Sequence, residues 1–497
     1  MRTLPSPALR RGGRLSGLAL IGALALTSLA APRAAADEAW RSAAPAPLAA
    51  RPFQMPKATV GKLSNGLTVW VVENHEVPLA YVSLVFRTGA WLDPDAKPGL
   101  ASATFGMLTE GAAGMDDVAL AKRLKGIGAE AWGSAGLDSA SVGVSGLSRS
   151  MPAALDVLAD LVLRPDFPEK AWAVDQRRRV QDLTGARQDP GAISGRVQAA
   201  VLYGPHYIGR LSNEAAIQAT TTADMRAFWA ENARPEEAVL LVGGDTTLAE
   251  VLPLLEARLG AWKPAPRAAA PTPPLASALP TPGKTTIYLA DRPGATQSMV
   301  RASRFVGPRD APEAAALELA NEAWGGAFTA RVNMNLREDK GWTYGARSGL
   351  SYSQLPGTFS VSASVVRDHT ADSIGEILKE IKAVKGDKPL SAEELNNARG
   401  GMVGGWPLNF EQPGHLLGEL STVWRYGLPQ DWVSGWPDRI RAVTPEAAQQ
   451  ALSQRLSAED LTIVVVGDAA VIRPSLAALG LPIVDVDTDG KPIAGPR

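Results

Sequence analysis

The sequence predicts an α+β protein built as two tandem, similar halves. Two spacings and one linker carry that prediction. Strand pairs open at "LTVWVVENHEVPLAYVSLVFRTG" (67–89) and at "TTIYLADRPGATQSMVRASRFVG" (285–307), and a polar turn divides each pair. From Asn74 to Asp291 is 217 residues. Each half closes with a buried-type strand ending in Gly-Asp and an amphipathic helix, "EEAVLLVGGDTTLAEVLPLLEARLG" (236–260) and "EDLTIVVVGDAAVIRPSLAALG" (459–480). From Asp245 to Asp468 is 223 residues, and offsets so nearly equal indicate a duplicated domain. Between the halves runs "KPAPRAAAPTPPLASALPTPGK" (263–284), aperiodic and rich in Pro and Ala, an extended connector.

The elements follow in order. "MRTLPSPALRRGGR" is basic, "LSGLALIGALALTSLAA" is apolar, and "PRAAADEAW" supplies an Ala-x-Ala site ending at Ala36. These are the three parts of an export signal, expected to span 1–36 and to be removed. The apolar run is short for a stable membrane span, so no membrane insertion is expected after cleavage. Cleavage takes Arg2, Arg10, Arg11, Arg14 and Arg33 and no acid from a chain of formal charge −1. Without a basic surplus nucleic acid is a poor partner. The chain has no cysteine, which excludes thiolate metal sites, thiol nucleophiles and disulfides. Its four histidines, His75, His206, His369 and His415, are scattered, and no two have the i, i+4 spacing of a helical metal pair.

The first domain is expected over 50–262 and the second over 285–490. In the first, "DDVALAKRLKGIG" (116–128) has acids at its start, helical apolar spacing and a glycine stop. "DSASVGVSGL" (138–147) alternates as a strand, and "MPAALDVLADLVLRPDF" (151–167) is a helix stopped before Pro165. The alternation of strands and helices is irregular, which points to α+β rather than a doubly wound sheet. No Gly-rich phosphate loop, Gly-x-Ser-x-Gly elbow or EF-hand loop is present.

The segment "GLASATFGMLTEG" (99–111) has Leu100, Thr104, Met107 and Leu108 as one helical stripe and Ser102, Phe105, Gly106 and Thr109 as a second. With "FRTGAWLDPDAKPGLA" ahead of it and Glu110-Gly-Ala behind, it resembles the zinc-binding helix of the inverzincin peptidases: insulinase, pitrilysin and the mitochondrial processing peptidase. That helix carries His-x-x-Glu-His, two metal-binding histidines on one face and a glutamate that works as general base. The matching positions here are Ser102, Phe105 and Gly106. None can do the work: serine is a poor neutral ligand, phenylalanine moves no proton, and glycine has no side chain. The family's third ligand, a glutamate on a later helix, falls near Asp182 in "DQRRRVQDLTGARQDP" (175–190). Alone, Asp182 reads as a solvated helix carboxylate, and His206 in "VLYGPHYIG" as a packed or hydrogen-bonded loop residue. No metal or cofactor is expected in this chain.

The second half departs less from the family. "WGGAFTARVNMNLREDKGWTYGARSGLSY" (324–352) resembles its C-terminal substrate-binding stretch. The resemblance implies that Arg337 and Tyr344 are the family's Arg/Tyr pair, which contacts bound peptide. Both side chains can donate hydrogen bonds to a peptide carbonyl and stabilise a developing oxyanion. The residues by themselves also allow Arg337 to pair with Glu338 or Asp339 and Tyr344 to pack in a sheet.

The fold implied is two domains, each a mainly antiparallel sheet packed with helices. The function implied is that of a subunit inert alone, which binds unfolded peptide in the periplasm and completes the site of a paralogous His-x-x-Glu-His partner that holds the zinc. Core proteins of the respiratory cytochrome bc complex resemble the same family and leave a second possibility open, a structural or chaperone-like scaffold with no proteolytic role.

Overall fold

The computed structural model describes residues 56–267, 271, 279–281, 283–411 and 413–493. The expected signal peptide (1–36) and residues 268–270, 272–278 and 282 of the expected linker lie outside the described residues.

The first half folds around strands β1 (Thr59–Lys62), β2 (Thr68–Glu73), β3 (Leu79–Phe86), β4 (Ala129–Ala135), β5 (Ala140–Leu147) and β6 (Ala238–Gly244). They form one sheet in the order β1-β2-β6-β3-β5-β4. The second half repeats it with β7 (Thr286–Asp291), β8 (Gln297–Phe305), β9 (Thr343–Ser351), β10 (Thr358–Val366), β11 (Thr462–Gly467) and β12 (Ile483–Val486), in the order β9-β10-β8-β11-β7-β12. Apart from β1 and β12, the two orders superpose strand for strand. Most neighbours are antiparallel; β6 runs parallel to β2, and β7 parallel to both β11 and β12.

The opening strands of each half are not hairpin neighbours. β6 lies between them, with Thr68↔Val239 on one side and Phe86↔Ala238 on the other. The reason is burial. Every residue of β6, AVLLVGG, is buried, so this unbroken apolar run takes the centre of the sheet, and the strands with one wetter side flank it.

Helices α1 (Leu100–Met107), α2 (Glu169–Ala186), α3 (Pro190–Tyr203), α4 (Thr222–Asn232) and α5 (Pro413–Tyr426) position the regions discussed below. The helix at Asp117–Ile127 begins and ends where expected: the Asp116 side chain accepts from Ala119 N at 2.9 Å, and Gly128 closes it at φ 65°, a left-handed value that glycine adopts without strain. α1 packs on the inner face of the first sheet within a core that includes Phe86, Phe105, Trp229 and Leu158.

The outer face of each sheet is covered by a helix from the other half. Leu416, Leu417 and Leu420 of α5 bury against Val72, Val85, Val239 and Leu241 of the first sheet. Ile193 and Val197 of α3 bury against Ala290, Val464, Val466 and Val486 of the second. Each fully buried leucine, isoleucine or valine contributes roughly 1.5–3 kcal/mol, so the exchange is a substantial part of what joins the halves. The two helices share their landmarks at the same 223-residue offset: Pro190 and Pro413, Gly191 and Gly414, Gly195 and Gly418, Tyr203 and Tyr426. Polar ties reinforce the join. Asp489 accepts from Arg187 and Arg196, and Asp138 accepts from the Tyr207 hydroxyl in its own half and from Gln354 N, at 2.9 Å, in the other.

Candidate functional site

α1 starts on a buried carboxylate. Asp93, 6% exposed, accepts from Gly99 N at 2.6 Å and Ala101 N at 2.7 Å. These amides are among the orphan donors of the helix start. Burial pushes the Asp93 carboxyl up to about 6, against the pull of those two amides and of Arg210.

Along α1 the three positions of the degenerate motif separate. Phe105 belongs to the core and not to a stripe shared with Ser102 and Gly106, which corrects the expectation from spacing. It is 1% exposed, and its ring meets Phe86 and Trp229 edge-on at 5.6 and 5.4 Å. Its carbonyl presses on β4 at Gly133, where a Cβ would collide with it. The hydrophobic demand of the sheet interior sets this rotation of the helix. Ser102 and Gly106, half-buried, face α2.

Across that face lies Arg179 of α2. Its guanidinium donates to Ser102 Oγ (3.4 Å) and Ser102 O (3.3 Å), and Nε donates to Asp175 Oδ2 at 2.5 Å. Arg178 also pairs with Asp175. A Cβ on Gly106 would already touch Arg179 Nη2 at 3.4 Å, so the glycine clears the path of the guanidinium. Burial alone would raise the Asp175 carboxyl; Arg179 and Arg178 outweigh it and hold the group below its usual value. Glu110, at the end of the turn after α1, is pushed up by burial and by the nearby Asp117 and Asp175. Asp182 is exposed, one turn past the arginines.

These residues do not fit zinc. A guanidinium has no lone pair to give, and its positive charge opposes a second cation at the same face. Among the described residues no group of three or more His, Asp or Glu side chains is placed to hold a metal ion. Arg179 was not singled out by sequence reasoning, because "QRRRVQD" reads as a solvated helix face. The available signal was its place three residues before Asp182, one helical turn toward α1. His206 is buried against the Tyr207 ring at 4.5 Å, with neither ring nitrogen hydrogen-bonded among the described residues, and burial lowers its pKa.

In the second half, Arg337 sits on a π-helical turn, Met334–Asp339, that follows the Arg331–Asn333 turn. Arg331 anchors this region: it is 7% exposed and pairs with Glu394 through Nε (2.9 Å) and Nη2 (2.7 Å). Arg337 lies over the Phe328 ring at 4.4 Å and reaches Glu338 through Nε at 3.3 Å, so the local acid pairing that the residues allowed does occur. Arg347 approaches the same ring, at 5.6 Å.

Tyr344 does not pack in the sheet. It is 89% exposed. The cause is a bulge in β9: Thr343 faces Val365 and Ala346 faces Ala363, so Tyr344 and Gly345 together oppose the single residue Ser364. Thr343 and Ala346 both turn inward and are buried, while Tyr344 is aimed at solvent. Asn333 fixes the far side of the bulge by accepting from Ala346 N at 2.9 Å. The bulge thus presents a phenol, and Arg337 presents Nη donors without a partner among the described residues. Arg337 lies six residues before Thr343, ahead of β9, and its contacts are with Phe328 and Glu338 rather than with Tyr344.

Fold and site together define two similar sheet-and-helix domains of peptidase type, with an arginine rather than a metal-ligand set across the α1 face. Comparison with known proteins agrees. Residues 68–190 match the family described as Insulinase (Peptidase family M16), and residues 219–402 match the Peptidase M16 inactive domain. An uncharacterized zinc protease of Mycobacterium leprae is 25% identical over 276 residues, 55% of this chain and 61% of that protein. One of Streptomyces coelicolor is 24% identical over 344 residues, 67% of this chain and 70% of that protein. The match to the mycobacterial relatives spans about three-fifths of their length. Among solved structures, the peptidase M16 inactive domain from Pseudomonas fluorescens aligns with a TM-score of 0.75 at 24% identity, over 82% of this chain and 97% of that one. The periplasmic protease PqqL from Escherichia coli aligns at 0.70 with 16% identity, over 84% of this chain and 46% of that one. The chain belongs to the insulinase-like peptidase family, M16.

Proposed function

We propose that this chain is the non-catalytic, substrate-binding subunit of a two-chain zinc endopeptidase of the periplasm. It binds unfolded peptide and completes the site of a His-x-x-Glu-His partner through Arg337 and Tyr344. The observation that carries this reading is the bulge in β9. A tyrosine held 89% exposed on a strand gains no packing within its own chain, whereas its hydroxyl can donate to a peptide carbonyl in a complex. The Arg179 guanidinium across Ser102 supports the other part of the reading, that catalysis belongs to a different chain. Among the described residues no helix is long and apolar enough to cross a membrane, and the similarity to a periplasmic protease supports the location.

The alternative, a scaffold with no proteolytic role, draws on the pairing of Arg337 with Glu338. The test is reconstitution. This protein is assayed alone and then mixed with the exported His-x-x-Glu-His protein of the same genome, with wild-type chain and with Arg337→Ala and Tyr344→Phe. The proposal requires an inert lone chain, an activated mixture, and loss of that gain in both variants. A partner fully active by itself, or variants as good as wild type, leaves the scaffold.

A further inference from the structure

Between α1, α2 and α3 of the first half lies a cavity of about 310 Å³ that the function above does not use. Part of its wall is apolar. Trp172 of α2 is 6% exposed, and its indole is fixed by Nε1–H, which donates to Thr220 O at 2.9 Å. Leu183 and Ile217 extend that surface. Two guanidiniums line the same space, Arg179 from α2 and Arg196 from α3, with side chains 22% and 16% exposed. Against them the lining holds one carboxylate, Asp182, which is exposed. The cavity thus joins a surplus of positive charge to an aromatic and aliphatic surface, the mixture expected of a small-molecule site.

Both guanidiniums keep donors in reserve. Arg179 gives Nε to Asp175, but Nη1 and Nη2 reach Ser102 at 3.4 and 3.3 Å, the long end of the hydrogen-bond range. Arg196 gives Nε and Nη2 to Asp489 and Nη2 to Ser212 O at 3.2 Å, while Nη1 makes no hydrogen bond among the described residues. A carboxylate that draws Arg179 from Ser102 exchanges two long contacts for charge-assisted ones. The start of α1 supplies nothing here, since Asp93 already holds the Gly99 and Ala101 amides.

We infer that this cavity binds an organic monocarboxylate with an apolar group beside the carboxyl, either the free C-terminus of a peptide or a small free acid of the same shape. Arg179 and Arg196 receive the carboxylate, and Trp172, Leu183 and Ile217 receive the apolar group. An ammonium would meet two like charges, and an inorganic anion would leave the apolar wall unused. The inference stands apart from the partner proposed above, because it involves neither Arg337 nor Tyr344.

The experiment is calorimetric titration of the full chain with three ligands. They are N-acetyl-Ala-Ala-Leu with a free carboxylate, the same peptide as its C-terminal amide, and 4-methylpentanoate. The amide accounts for binding along the peptide backbone elsewhere. The free-acid peptide is expected to bind at least about tenfold tighter than the amide. Whichever of the two carboxylates binds tighter identifies the source, and either order supports the site. Arg179→Gln should weaken both carboxylates at least about fivefold and leave the amide as it was. Asp182→Asn removes an exposed like charge and should tighten both carboxylates about twofold, a gain that damage to the fold does not give. Ala186→Phe fills the cavity from the last residue of α2 and should abolish carboxylate binding. Should Ala186→Phe not fold, the opposite signs of Arg179→Gln and Asp182→Asn decide the matter. Equal binding of acid and amide, no heat from either carboxylate, or carboxylate binding that survives Ala186→Phe overturns the site. None of these results bears on the reconstitution test.

Discussion

Phe105 and Tyr344 lie beside the outermost strand of the first and second sheets, and they have opposite fates. Phe105 presses its carbonyl on β4 and is 1% exposed, its ring inside an aromatic cluster. Tyr344 rides the bulge of β9 at 89%. The two halves thus use the neighbourhood of an outer strand differently. The first fills it, with Phe105 inward and the Arg179 guanidinium across Ser102. The second spends a strand irregularity and a π-helical turn to keep polar donors in solvent. A duplicated domain can keep its frame while one copy packs a face closed and the other keeps a face open. The lesson is that one frame can bury an aromatic residue in one copy and expose one in the other, according to what its neighbours pack against.

Four measurements break or sharpen the contrast. Phe105→Ala should cost about 3–5 kcal/mol of stability in denaturant unfolding, as expected for a deleted core aromatic, while leaving peptide affinity intact. Arg337→Ala should do the reverse, lowering the activity of the mixed complex about 100-fold, the scale for loss of one oxyanion donor, with no change in melting temperature. Should either variant show the other's behaviour, the division of labour between the halves is wrong.

The third concerns Asp93. Its folded pKa of about 6 is above the ordinary 3.8, so the folded state favours the protonated acid. The associated stability is fully present below pH 3.8 and is lost as pH rises through 6, a fall on the order of 2–3 kcal/mol. Asp93→Asn should flatten stability against pH across that window, at the cost of one of the two amide contacts. The fourth is small. Glu338→Gln removes an exposed partner of Arg337 and should change stability by less than about 0.5 kcal/mol, and activity of the mixture should hold or rise. A large loss of activity would mean that Glu338 orients Arg337.

Strands and helices were legible in the sequence because burial imposes its period directly. That Ser102, Phe105 and Gly106 cannot grip a metal ion and move a proton was legible for a related reason, since it holds in any conformation. What spacing could not supply was phase and partnership. Phe105 and Gly106 are adjacent in sequence, so only the packing of α1 decides which enters the core. One of three successive arginines turns toward Ser102, and the rotation of α2 selects Arg179. The exposure of Tyr344 contradicts simple alternation, because the bulge adds a residue that the pattern does not announce. Strand order was hidden as well, although the all-apolar run of β6 marked it for the centre. The helix exchange did leave a trace in the repeated Pro-Gly-x-x-x-Gly starts at 190 and 413.

That exchange says something about ancestry and manufacture. A lone half would emerge with one sheet face bare and one helix, α3 or α5, with no groove of its own. Two copies of such a half would satisfy each other by trading helices, which is a swapped dimer. The present chain has the arrangement of such a dimer with its subunits joined in tandem. During synthesis, moreover, Val72, Val85, Val239 and Leu241 wait uncovered until Leu416 to Leu420 have been made. The outer face of the first sheet is therefore completed only while the second half is being made, from the far end of the gene.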